Sequence, residues 1–354
     1  MKRIAVVGCQ GIPANYGGFE SLVENIVGEN ASKDVHYTVF CSSVDMPGKN
    51  EEYKGCTLKY VHVKANGMQS VLYDILSMLH TFSGYDTILI LGVSGCMFLP
   101  VLKFFSKARI IVNIDGLEYR RAKWGRLARW ILRLSEKAAV KNADVVIADN
   151  KGIQDYVTET YHKKSSLIAY GGDHVIREIP EEQINKILSE YGLRKNDYAV
   201  CVCRIEPENN CHISLEAFSK SEKDLVFIGN WNHSDYGKEL RRNYSKYPNI
   251  HMLDAVYDLD ILYTIRSNAS IYVHGHSAGG TNPSLVEAMF FGIPILAYDC
   301  VYNRATTHNQ AYYFADSESM MALLSDNLEG EKMKIIAQEN YTWKKIAEQY
   351  ESLY

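Results

Sequence analysis

Two stretches of this sequence place glycines beside small hydroxyl and amide side chains, directly after short apolar runs. That arrangement suits an anion held by backbone N–H groups. The first is Gly8-Cys9-Gln10-Gly11-Ile12-Pro13-Ala14-Asn15-Tyr16-Gly17-Gly18-Phe19-Glu20, between the apolar run Ile4–Val7 and a helical pattern starting at Ser21. A dinucleotide fingerprint needs glycine spacings that Gln10 and Pro13 break, and no ribose-binding acid follows the next apolar run, so a nicotinamide cofactor is not expected. Tight packing of a strand-to-helix turn would account for Gly8 and Gly11. It leaves Tyr16-Gly17-Gly18 without a reason, which points to a ligand there.

The second stretch, Ser277-Ala278-Gly279-Gly280-Thr281-Asn282-Pro283-Ser284-Leu285-Val286-Glu287-Ala288-Met289, carries the stronger signal. Asn282 suits an N-cap, Pro283 suits the first helical position, and Gly292 with Pro294 supplies the stop. A short helix starting at the end of a strand, with two glycines exposing its amides, favours a diphosphate. Glu287, one turn further in, is either an acceptor for ribose hydroxyls or an ordinary helix-surface acid. Arg204 follows the apolar run Ala199–Cys203, where a guanidinium can grip two phosphate oxygens; the alternative is a surface salt bridge with Glu206 or Glu208. Alanine at Arg204 or Glu287 is expected to weaken ligand binding and leave the fold intact.

No metal is expected. Asp258-Leu259-Asp260 leads into Ile261-Leu262-Tyr263 and reads as the acidic start of a helix, while His274 and His276 flank a strand end without a third ligand and read as crevice lining. Basic residues crowd the stretch Arg120–Lys141, where Arg126, Arg129, Arg133 and Lys137 fall near one helical face with Trp124, Trp130, Ile131 and Leu132 interleaved. Such a stripe suits an anionic bilayer as well as it suits plain solvent.

The elements that must position these residues follow a repeated α/β pattern. Apolar runs at Ile4–Val7, Tyr37–Cys41, Leu58–Val63, Thr87–Leu91, Ile110–Asn113 and Val145–Ala148 read as strands, separated by helical stretches. The pattern then repeats at Ala199–Cys203, Leu225–Ile228, Ile250–Met252, Ile271–His274, Ile295–Ala297 and Tyr312–Phe314. The polar glycine pair in Ala169–His174 reads as a hinge. Trp343, Ile346, Ala347 and Tyr350 give the last stretch an aromatic helical face. The expected domains are residues 1–172, residues 173–340 and a terminal helix over 341–354. Thr87–Leu102 is uncharged but short and broken by Gly92, Gly95 and Pro100, so it reads as strand, loop and helix rather than a membrane span.

The 354 residues suit two domains, and a net charge of -4 argues against a nucleic-acid partner. Eight scattered cysteines read as buried free thiols in a reducing compartment, and no signal-peptide pattern opens the sequence. The expectation is a cytoplasmic protein, peripheral at the inner face of the cell membrane.

On Arg204, the Gly280–Glu287 stretch with Ala288-Met289 and Gly292–Pro294, the hinge and the terminal helix, the chain resembles the retaining glycosyltransferases of family 4. That family has the two-domain GT-B fold, with parallel sheets of two Rossmann-like domains facing a central crevice and a last helix that returns to the first domain. Gly11-Ile12-Pro13, Tyr16–Glu20 and Asp115-Gly116-Leu117-Glu118-Tyr119 look like the subgroup of bacterial capsule and O-antigen rhamnosyltransferases. The resemblance implies a nucleotide-sugar donor and a lipid-linked glycan acceptor, without cofactor. Arg204 would bind the donor diphosphate and count as catalytic with Asp115, which would orient the acceptor or sugar; a turn-forming Asp before Gly116 is the alternative for Asp115. Gly280 and Thr281 would offer amides, Asn282 and Ser284 would complete the donor site, and Glu287 would hold the ribose. Tyr16, Gly17, Gly18, Glu20 and Glu118 would face the acceptor or sugar.

Two departures stand out. The segment where the family commonly has a lysine is Glu208-Asn209-Asn210, and the usual acid eight residues before Glu287 is Gly279. A missing acid implies a different sugar, and with the N-terminal resemblance this gives dTDP-rhamnose as the expected donor and a UDP-hexose as the alternative. Gly279 as a backbone requirement of its loop is the competing explanation. A sugar-nucleotide epimerase of the same fold and a non-catalytic binding protein are the other readings.

Overall fold

The computed structural model describes the chain except residues 15–16, 30–33, 47, 49 and 121–123, and omits the side chains of Met68 and Arg120. The chain divides into two compact units, Met1–Tyr170 with Trp343–Tyr354, and Gly171–Thr342.

The first unit runs β1 (Lys2–Val7), α1 (Gly18–Glu29), β2 (Val35–Ser42), β3 (Glu52–Tyr53), β4 (Cys56–Val61), α2 (Ser70–Leu79) and β5 (Thr87–Leu91). It continues with α3 (Leu99–Phe105), β6 (Arg109–Asn113), α4 (Arg126–Asn142), β7 (Val145–Ala148), α5 (Lys151–Tyr161) and β8 (Ser166–Leu167). Its sheet has the order β3-β4-β2-β1-β5-β6-β7-β8 and is parallel apart from the short β3–β4 pair. β5, Thr-Ile-Leu-Ile-Leu, is buried at every residue, as a parallel strand covered on both faces must be. The strand order reverses between β1 and β5, so the Gly8–Gly18 loop leaves the sheet at a topological switch point, where α/β sheets bind ligands.

The second unit runs α6 (Glu181–Glu190), β9 (Tyr198–Val202), α7 (Cys211–Ser219), β10 (Asp224–Ile228), α8 (Asp235–Tyr244), β11 (Ile250–Leu253), α9 (Leu259–Ser267) and β12 (Ile271–His274). Then come α10 (Pro283–Met289), β13 (Ile295–Tyr298), α11 (Val301–Thr306), β14 (Tyr312–Phe314), α12 (Ser317–Leu324) and α13 (Glu331–Asn340). All pairs in its sheet, β11-β10-β9-β12-β13-β14, are parallel, and the order reverses between β9 and β12. Each strand expected from the sequence is present with ends moved by at most two residues, and Thr87–Phe105 is a strand, a loop and a helix.

The last helix, α14 (Trp343–Glu351), packs in the first unit. Trp343, Ile346, Ala347 and Tyr350 are buried in one core with Leu22, Val23 and Ile26 of α1. Asn113 Nδ2 donates to Tyr350 Oη at 2.7 Å, and Lys2 Nζ donates to the Tyr354 carbonyl at 2.7 Å, so the segment is fixed by polar as well as apolar contacts.

Candidate functional site

In the second unit the loops leaving the adjacent strands β9 and β12 are clasped together. Asn209 Nδ2 donates to the Arg204 carbonyl at 2.7 Å, and Asn210 Nδ2 donates to the Gly275 carbonyl at 2.9 Å. From the other side Ser277 donates its N–H and its hydroxyl to the Glu208 carbonyl, each at 2.9 Å. His276 Nδ1 lies 2.6 Å from Asn209 Oδ1, which must accept because the amide nitrogen is turned to Arg204; the ring proton therefore sits on Nδ1. A Cβ at Gly275 would overlap the Asn209 carbonyl. The Glu208–Asn210 segment, where the resemblance leads one to expect a lysine, thus serves as the clasp.

Around this clasp stand the residues singled out in the sequence. Arg204 is exposed, and its Nη1 lies 3.9 Å from Glu206 Oε2, a loose surface pair that a phosphate can displace. Asn282 caps α10 by accepting from the Ser284 N–H at 3.0 Å and from the Ser284 hydroxyl at 2.8 Å, with Pro283 at the first helical position. Gly279 has φ +96°, and the nearest atom to an added Cβ is His276 Nε2 at 3.6 Å. The space is open, so the backbone conformation is what demands glycine there. That supports the backbone explanation of the missing acid.

Glu287 is neither isolated nor an ordinary surface acid. Its Oε2 accepts from Arg266 Nη1 at 2.7 Å, and its Oε1 lies 3.7 Å from His174 Nε2. Arg266, from α9, is only 2% exposed. Its Nη2 donates to the Ser284 carbonyl at 3.1 Å, and its guanidinium lies 5.7 Å from the Tyr272 ring centre and 5.1 Å from that of Phe291. One buried cation therefore fixes both the carboxylate and the first turn of α10. Sequence reading missed it; the signal was an arginine with no acid three or four residues away to pair with on its own helix. His274 is buried rather than lining a crevice, and its Nε2 has no hydrogen-bond partner among the described residues. Burial first, then the nearby His276 and Arg266, hold its pKa well below the ordinary value. Asp258 caps α9, its Oδ1 accepting from the N–H groups of Asp260 and Ile261. Among the described residues no group of three His, Cys, Asp or Glu side chains could hold a metal ion.

In the first unit the glycine loop is shaped from within. Gly8 has φ +100°, and a Cβ there would overlap the Leu91 carbonyl of the neighbouring strand. Glu20, on α1, is buried and turned into the loop: its Oε1 accepts from the Gln10 N–H at 2.7 Å, and Gly17 leaves room for its other oxygen. Burial raises the Glu20 pKa, the Gln10 amide opposes this, and the charge of Asp115 adds to the rise. The carboxylate thus braces the loop from within. Asp115, after β6, adopts φ +58°, and its N–H donates to Asn113 Oδ1 at 3.0 Å. Glu118 Oε1 accepts from Trp124 Nε1 at 2.9 Å. Gly18 opens α1, while Tyr16 lies outside the described residues, as do Arg121 and Lys123 of the basic stretch.

Residues 1–173 match a family described as a domain of unknown function (DUF1972), and residues 183–340 match glycosyl transferases group 1. An uncharacterized glycosyltransferase of Methanocaldococcus jannaschii is 24% identical over 246 residues, which span 62% of this chain and 60% of that protein's length. Among solved structures, sucrose-phosphate synthase from Thermosynechococcus elongatus aligns over 100% of this chain and 98% of its own, with a TM-score of 0.82 at 17% identity. Anabaena HepE in complex with UDP aligns over 99% of each chain, with a TM-score of 0.77 at 14% identity. The chain has the GT-B fold, and its residues 183–340 match glycosyl transferases group 1.

Proposed function

We propose that this protein is a nucleotide-sugar-dependent glycosyltransferase that binds its donor in the second unit. The carrying observation is the clasped pair of loops at the β9/β12 switch point, with Arg204 on one and the capped Gly279–Glu287 stretch on the other, inside the glycosyl transferases group 1 domain. Arg204 takes the diphosphate, Gly280 and Thr281 offer amides, and Asn282 and Ser284 hold the start of α10. Glu287 presents to the ribose the oxygen that Arg266 does not occupy. The first unit binds the acceptor with Tyr16, Gly17, Gly18, Asp115 and Glu118, while Glu20 keeps the loop in shape.

Transfer proceeds with retention: the departing phosphate oxygen takes the proton of the acceptor hydroxyl as that hydroxyl bonds to the anomeric carbon on the same face. The protein contributes charge stabilisation and alignment. The N-terminal motifs favour rhamnose from dTDP-rhamnose, moved onto a lipid-linked glycan in capsule or O-antigen synthesis at the cytoplasmic side of the membrane. A UDP-hexose is the second reading. It is favoured by the positive φ of Gly279, which accounts for the missing acid without a change of sugar, and by the likeness to HepE, solved in complex with UDP-glucose.

The test is transfer to a lipid-linked acceptor from dTDP-rhamnose, UDP-glucose, UDP-galactose and their N-acetyl forms, with a chelator present. Rhamnosylated product is expected. Preference for a UDP-hexose overturns the donor, conversion of donor without acceptor favours an epimerase, and binding without turnover removes the enzyme reading.

A further inference from the structure

We propose that α3 and α4 of the first unit form a face that seats on an anionic lipid bilayer, with the aromatic end of α3 inserted among the acyl chains. The membrane setting is that of the function proposed above, but the inference stands on exposed side chains that the basic stretch alone did not reveal. Met97, Val101, Phe104 and Phe105 follow one helical stripe and are 52%, 41%, 82% and 61% exposed, while Leu99 and Leu102 are buried beneath them. Single exposed apolar side chains are ordinary; four along one stripe are not. Phe82 widens the patch, its ring 5.5 Å from Phe105 and 6.3 Å from Phe98.

α3 lies alongside α4 and runs the same way. The Met97 N–H donates to Ser135 Oγ at 3.1 Å, and Lys103 Nζ donates to the Asn142 carbonyl at 2.9 Å. Toward its N-terminus α4 exposes Leu127 and Trp130, at 71% and 61%. Along the same helix Arg126, Arg129, Arg133, Lys137 and Lys141 are all exposed. Its one carboxylate, Glu136, is buried and accepts from the hydroxyls of Tyr156 and Tyr161 at 2.6 and 2.7 Å. The face therefore offers apolar side chains and cations without an exposed acid on either helix.

That combination complements anionic headgroups over acyl chains: the phenyl and indole rings enter the interface, and the long basic side chains reach back to phosphates. A second copy of this chain fits poorly, because a two-fold contact through this face would set the basic stripes against each other. No helix among the described residues is long and apolar enough to cross a membrane, so attachment is to the surface.

The experiment is sedimentation of the full chain with phosphatidylcholine vesicles, with and without phosphatidylglycerol, in the absence of donor and acceptor. Failure of the transferase reading therefore leaves it untouched. Binding is expected only to the phosphatidylglycerol vesicles, falling with salt and shifting the tryptophan emission to the blue. The double variant Phe104→Ser/Phe105→Ser is expected to bind at least about tenfold more weakly, and Arg126→Glu/Arg133→Glu to lose the preference for anionic lipid. Both variants change exposed residues, and unchanged thermal unfolding verifies their folds. Absence of binding at low salt overturns the inference, as does binding that the phenylalanine pair does not affect. Dimerisation that the same substitutions abolish, without vesicle binding, assigns the face to a second copy instead.

Discussion

Arg266 and Glu287 illustrate how a side chain's partner decides what its removal does. Truncating Glu287 leaves a guanidinium buried without its counter-ion, so Glu287→Ala is expected to cost stability as well as ligand binding. Glu287→Ala and Arg266→Met should each lower stability by about 3 kcal/mol in urea unfolding, with the double variant losing less than the sum of the two. Arg204→Ala, at an exposed and loosely paired position, should change stability by less than about 0.5 kcal/mol while weakening donor affinity. A Glu287→Ala protein as stable as the parent would refute the pairing. The cap at Asn282 and Pro283 was legible because it is local, set by residues adjacent in sequence. Arg266 was not, since its partner lies 21 residues away and the two meet only through the β12–α10 connection. Gly279 was half legible: its type was plain, but only the backbone angle tells a missing carboxylate from a required glycine.

At the scale of elements, α2 holds the loop that follows β5. Asp74 is buried, and its Oδ2 accepts from the Gly95 N–H at 3.0 Å, against a glycine whose Cβ would crowd Asp74. Burial raises the Asp74 pKa from 3.8 to about 7, with the Gly95 amide opposing the shift. A carboxyl whose pKa is raised on folding binds its proton more tightly in the native state, so stability falls as pH rises from 3.8 to about 7 and is level above. The full effect is on the order of 4 kcal/mol. Asp74→Asn should remove this slope, leaving a first unit that melts higher at pH near 8 than the parent does; identical pH profiles for the two proteins would rule the account out. Long buried strands such as β5 were legible from their apolar runs. β3 and β8 were not, because two-residue edge strands carry no periodicity to read.

For the molecule as a whole, the two units respond to acid in opposite directions. His274 in the second unit has its pKa held below the ordinary 6.5, so the native state binds fewer protons than the unfolded one and loses stability as pH falls below 6.5. Acidification from neutral pH therefore strengthens the first unit through Asp74 and weakens the second through His274. Calorimetry at pH 5 should resolve two transitions that draw together near neutrality, and His274→Phe should raise the lower one; a single transition at both pH values would contradict this. The return of α14 to the first unit has a consequence for biosynthesis. The second unit is one continuous stretch, Gly171–Thr342, whereas the core around α1 needs Trp343, Ile346 and Tyr350, which are translated only after that stretch. The part made first therefore waits through the synthesis of the whole second unit with its α14 seat open, the state in which a chaperone would find it.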